Sequence, residues 1–142
     1  MAIQGKIVQV APDSHTLGTP RVLLVGSDSV VSRALQLFLR SEGYETVVVR
    51  ADRESWSLTK TAAPDLVLVD PTVSLQQRAQ IRAQFRDDPS TQLVPLVALL
   101  DLADAADHST TEHADAVLTW PFRLKEVLVL IEELLAARLV LE

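Results

Sequence analysis

The chain offers few residues with which to do chemistry. It has no cysteine in 142 residues, which removes thiolate nucleophiles, disulfides and thiolate metal sites together. The three histidines, His15, His108 and His113, fall at no convincing metal-ligand spacing. The last two are five apart, a poor match to one helical face, and all three read as loop or surface residues. A carboxylate in an unusual place is more informative. In "DLVLVDP" a run of leucine and valine stops on Asp70, with Pro71 behind it. A second apolar run, "RVLLV", gives way to Gly26, Ser27 and Asp28. Asp28 or Ser29 can cap a following helix, and backbone N–H groups there could receive an anion. The Gly-rich phosphate fingerprint is absent, however. Trp120, in "TWPF", is the remaining residue of note.

The elements that must position these residues are legible from hydrophobic pattern. Four apolar stretches have strand length: Arg21–Val25, Thr46–Val49, Leu66–Val69 and Leu93–Leu100; Ala116–Thr119 makes a fifth. Continuous apolar runs, unlike alternating ones, fit strands buried on both faces of a parallel sheet. Between them lie helical patterns. Val31, Ala34, Leu35 and Phe38 recur at helical spacing, and Gly43 is placed to end that helix. A second helix is expected over Asp52–Ala62, stopping before Pro64, with Trp56 as a half-buried core residue. A third covers Ser74–Phe85, with Leu75, Ile81 and Phe85 turned inward. A polar, weakly helical segment follows at Ala103–His113, and the last helix spans Leu124 to about Val140. Alternation of this kind predicts a doubly wound α/β domain with right-handed crossovers, whose crevice lies at the carboxyl ends of the strands. Asp70 then stands at the mouth of that crevice.

Composition bounds the function. The chain is 48% hydrophobic and 23% charged, an ordinary globular composition of single-domain length. A formal charge of −6 and no visible basic patch argue against direct nucleic-acid binding. No apolar run exceeds eight residues, so neither a membrane span nor a secretory signal is expected, and a cytoplasmic protein is. Residues 1–19 read as an N-terminal extension, either mobile or contributing the short strand "KIVQV", and residues 20–140 as the domain proper. The closing Leu-Glu pair is a common cloning scar, an indication that the chain is cut from something longer.

Four segments in this order resemble the receiver domain of bacterial response regulators, the CheY-like superfamily: "RVLLVGSDSVVSRALQLFLRSEGYETVVV", "PDLVLVD", "FRDDPSTQLVPLVAL" and "HADAVLTWPF". The resemblance covers roughly Pro20 to Leu139. It implies a flavodoxin-like five-stranded parallel sheet of order 2-1-3-4-5 with five helices, and a place in two-component, phosphorelay signalling. It also implies a chemistry: phosphoryl transfer onto an aspartate ending the third strand, here Asp70. In the family an acidic pair holds Mg²⁺, a lysine neutralises the phosphate, and a Ser or Thr hydroxyl closes onto it. The matching positions here are Gly26 and Ser27 for the acidic pair, Leu100 for the hydroxyl, and Trp120 for the lysine. Val117 replaces the aromatic residue often found on the fifth strand. The pocket is degenerate at Gly26, Ser27, Asp28, Leu100 and Trp120.

Removing one preorganised charge-stabilising group typically costs about 3–4 kcal/mol in a transition state, so conventional phosphorylation is not expected. Asp70 reads as a vestigial phosphoacceptor and Asp28 as a cap. No catalytic residue, cofactor or metal is assigned; under the conventional alternative Mg²⁺ would fall to Asp28 and Asp70. Trp120 reads as a plug over the emptied pocket, its bond to Pro121 cis as the family's Lys-Pro bond often is. The expected function is that of a pseudo-receiver, not an enzyme, that works through protein contacts with a histidine kinase, another signalling component or a second copy. The last helix carries more apolar residues than one stripe needs. Val129, Leu130, Ala137 and Val140 are therefore interface candidates, for a dimer or for a further domain. A small-ligand sensor using Gly26, Ser27, Asp70 and Trp120 is a separate alternative.

Overall fold

The computed structural model describes residues 19–27, 29–51, 55–101 and 114–141. Its elements follow the predicted order. They are β1 (Arg21–Val25), α1 (Val30–Ser41), β2 (Glu45–Val49), α2 (Ser55–Ala62), β3 (Leu66–Val69), α3 (Leu75–Asp87), β4 (Leu96–Leu100), β5 (Ala116–Thr119) and α4 (Leu124–Leu141). The five strands form one parallel sheet in the order β2-β1-β3-β4-β5. Four helices lie among the described residues. The N-terminal extension, the three histidines, Asp28 and the polar segment 103–113 lie outside them.

Strand residues face alternate sides of the sheet, and each side is covered by helices, so the strands are apolar except near their ends, at Arg21, Glu45, Thr46 and Thr119. Val22, Leu24, Leu66, Leu68, Val97 and Leu99 pack with Leu35 and Leu39 of α1 and Val127 and Ile131 of α4. Leu23, Val25, Val67, Val69 and Leu96 point the other way, onto Val73, Phe85 and Val94. The chain ends each turn with recognisable chemistry. Ser29 caps α1, its hydroxyl accepting from Ser32 N at 3.1 Å. Gly43 sits beyond the helix end at φ +94°, with Gly43 N donating to Arg40 O and Tyr44 N to Leu39 O. That pair of bonds satisfies carbonyls the helix would otherwise leave open, and its backbone favours glycine. Ser74 and Gln77 form a reciprocal capping box at α3. Asp65 and Asp115 accept from Arg21 N and Leu96 N at 2.8 and 2.7 Å, binding the N-terminal ends of β3 and β5 to their neighbours.

Three local expectations differ from the structure. β4 begins at Leu96, not Leu93. Val94 N turns back to Thr91 O, Pro95 has no N–H to give a ladder, and Leu93 is left exposed. On α3 the buried residues are Arg78 and Phe85, whereas Leu75 and Ile81 are half-buried. On α4 the interface candidate Leu130 packs against the α1-side core. Val129 and Ala137 are exposed, and the side chain of Val140 lies outside the description.

Candidate functional site

The sheet order reverses between β1 and β3, whose last residues Val25 and Val69 are paired. Asp70 leaves β3 there, its N–H donating to Val25 O at 2.8 Å. Its side chain is held on both oxygens. Oδ1 accepts from Thr72 N at 2.8 Å, closing a local turn through Pro71, and Oδ2 accepts from the Ser29 hydroxyl at 3.2 Å. The residue is only 8% exposed, so these bonds replace much of the water a carboxylate would otherwise hold.

Gly26 has a steric role at this point. It adopts φ +154°, and a Cβ added there would stand 2.3 Å from Asp70 Cβ. The backbone of β1 therefore passes directly against the aspartate, and only glycine fits. Ser27, next in the chain, meets Thr72 through longer contacts: Ser27 N and Ser27 Oγ lie 3.4 and 3.2 Å from Thr72 Oγ1. Leu100 is buried to 2% exposure at the end of β4, a fully apolar side chain with no group to offer.

Two cavities adjoin these residues. One, lined by Leu24, Leu35, Val48, Leu99 and Asp70 among others, has a volume of about 10 Å³ and admits no more than a water-sized molecule. The other is an open groove of about 400 Å³ bounded by Gly26, Ser27, Arg50, Thr72 and Gln77, with Ala51 and Val73 as its apolar wall. Arg50 is exposed, makes no ion pair among the described residues, and is the one charged side chain among those lining the groove.

The structure thus brings Gly26, Ser27 and Asp70 together, and Trp120 follows β5 with its N–H donating to Leu100 O at 2.6 Å. The Trp120–Pro121 bond is cis. The indole is 45% exposed and packs edge-to-face on Phe122, with ring centroids 5.1 Å apart. It lines neither of these two cavities. Ser29, Thr72 and Arg50 were not singled out as site residues from sequence. Arg50 directly follows β2, and the rule that crevices form at strand C-termini points to such a position.

A divalent cation of the Mg²⁺ kind favours several oxygen donors, commonly with more than one carboxylate when no substrate phosphate contributes. Asp70 is the single carboxylate the described residues bring to this point, and no group of three His, Cys, Asp or Glu side chains clusters among them. Gly26 and Ser27 add no charge and Arg50 adds the wrong sign. Asp28, the other carboxylate of the Mg²⁺ alternative, lies outside the described residues, and among those described Asp70 has no second carboxylate beside it.

A parallel 2-1-3-4-5 sheet whose third strand closes on a carboxylate at the switch point is the architecture of the response-regulator receiver domain. Comparisons with known proteins agree. The chain is 28% identical over 107 residues to the DNA-binding response regulator MtrA of Mycolicibacterium paratuberculosis, covering 75% of this chain and 47% of that protein. It is 24% identical over 89 residues to the polar-differentiation response regulator DivK of Brucella ovis, covering 63% of this chain and 72% of DivK. In structure it resembles a response regulator receiver modulated diguanylate cyclase from Pelobacter carbinolicus. The TM-score is 0.66 at 24% identity, over 84% of this chain and 94% of that one. No family model matches the chain. The chain has the CheY-like receiver fold and response-regulator relatives, and it spans about half the length of the MtrA proteins it matches. No helix among the described residues is long and apolar enough to cross a membrane.

Proposed function

We propose that this chain is a pseudo-receiver, a receiver domain of two-component signalling that acts through protein contacts and not through an aspartyl phosphate. The observation that carries this reading is the company Asp70 keeps. Phosphoryl transfer to a carboxylate relies on positive charge placed in advance around the incoming oxygens. At the positions that match the family's site, the acidic pair is replaced by Gly26 and Ser27, the hydroxyl by the buried Leu100, and the lysine by Trp120, whose ring packs on Phe122. Gly26 cannot regain an acidic side chain without displacing Asp70. On this reading the domain needs no cofactor and is not an enzyme. Its partner is a kinase or other signalling component, or a second copy. The outward face of α4 at Val129 and Ala137 offers apolar surface for that contact.

The test is intact mass after incubation with a small-molecule phosphodonor, with and without Mg²⁺, beside an Asp70→Asn control and a competent receiver. No added phosphoryl group is expected in any arm except the competent receiver. A single Mg²⁺-dependent addition that disappears in Asp70→Asn would restore conventional signalling through Asp70.

A further inference from the structure

We infer that the groove beside Asp70 binds a small phosphate-bearing molecule, with Arg50 as its charged anchor. This goes beyond the pseudo-receiver reading and does not depend on it. The groove, of about 400 Å³, is within the size range of small-ligand sites. Among the described residues that line it, its charge is one-sided. Arg50 is the charged side chain among the lining residues, and no described carboxylate neutralises it. A guanidinium presents paired N–H donors in a plane, a geometry that matches two oxygens of a phosphate.

The opposite wall supplies neutral donors. The hydroxyls of Ser27 and Thr72 face one another at 3.2 Å, and Ser27 N reaches Thr72 Oγ1 only at 3.4 Å. Contacts of that length are weak and readily exchanged for a phosphate oxygen. Gly26 carries no side chain to obstruct the approach of a ligand to the backbone. Two groups able to interfere are already engaged. The Asp70 carboxylate is absent from the groove lining, its oxygens accepting from Thr72 N and Ser29 Oγ. The Gln77 carboxamide is tied to Ala51 O and Ser74 N, so it forms wall and not donor. Ala51 and Val73 provide an apolar surface for the organic part of the molecule.

Inorganic phosphate is the probe. It is titrated into the ¹⁵N-labelled full chain at constant ionic strength, and amide shifts are followed in the wild type, Arg50→Gln, Arg123→Gln and Asp70→Asn. Arg123 is exposed at the start of α4, so its variant makes the same change in charge away from the groove. Saturating shifts are expected at Gly26, Ser27, Ala51 and Thr72. Arg50→Gln should weaken binding roughly tenfold or more, while Arg123→Gln stays within about twofold. Binding should persist in Asp70→Asn, which separates this site from acceptance of a phosphoryl group by the aspartate. Shifts that stay linear, that centre on other residues, or that are equal in Arg50→Gln overturn the inference.

Discussion

At the scale of single residues, the contact between Gly26 and Asp70 governs what the site can be. A methyl group at 26 would meet Asp70 Cβ at 2.3 Å while also occupying a backbone conformation that disfavours side chains. Gly26→Ala is therefore expected to destabilise the fold by about 1–3 kcal/mol, read as a lower urea midpoint with an unchanged slope. Asp70 itself is read by two substitutions. Asparagine retains an oxygen acceptor for Thr72 N, so Asp70→Asn should unfold within about 1 kcal/mol of the wild type. Asp70→Ala leaves that part-buried N–H without its acceptor and should cost about 1–3 kcal/mol. Equal stability in both variants would mean that the carboxylate's hydrogen bonds contribute nothing to the fold. Asp70 was visible in sequence because a charged residue ending an apolar run is conspicuous. Arg50 and Thr72 were not, because they are brought to one groove by the register of β2, β1 and β3 and by no fixed spacing along the chain.

At the scale of elements, α1 and β2 are joined by Glu42, Gly43 and Tyr44, and Tyr44 carries a pH-sensitive contribution. Burial, with smaller effects from Glu132 and Glu42, raises its phenol from the ordinary 10 to about 12. A group whose folded pKa lies above its unfolded value stabilises the fold fully below the unfolded value. That stability is lost as pH rises from about 10 to about 12, since the unfolded chain gives up the proton first. Wild-type stability should fall more steeply across that window than that of Tyr44→Phe, measured by urea midpoints at several pH values. Parallel curves would remove Tyr44 from the balance. Element boundaries were largely legible: the ranges of β1, β3 and β5 and the glycine stop at Gly43 were all expected from pattern and cap chemistry. The misjudged details depended on tertiary context. Pro95 broke an apolar run that otherwise reads as strand from Leu93, Arg78 took a buried position on α3, and Leu130 was drawn into the core beside α4's main stripe.

At the scale of the whole molecule, the two cores share one sheet. Leu23 and Leu24 are neighbours in β1, yet Leu23 belongs to the core under α3 and Leu24 to the core between the sheet, α1 and α4. Neither core can open without exposing the other face of the same strands, so the domain should unfold as a single unit. Leu23→Ala and Leu24→Ala are each expected to cost about 2–5 kcal/mol, because both side chains are buried and each leaves a cavity behind. Each variant should shift one transition, with far-UV circular dichroism and tryptophan fluorescence superimposing at every denaturant concentration. Separation of the two probes in one variant only would show that its core melts as an independent unit. In that case the response to a partner at α4 need not reach the groove on the far side of the sheet. A coincident transition would instead show the crevice, the sheet and α4 sharing one continuous packed interior, which the proposed signalling by contact requires.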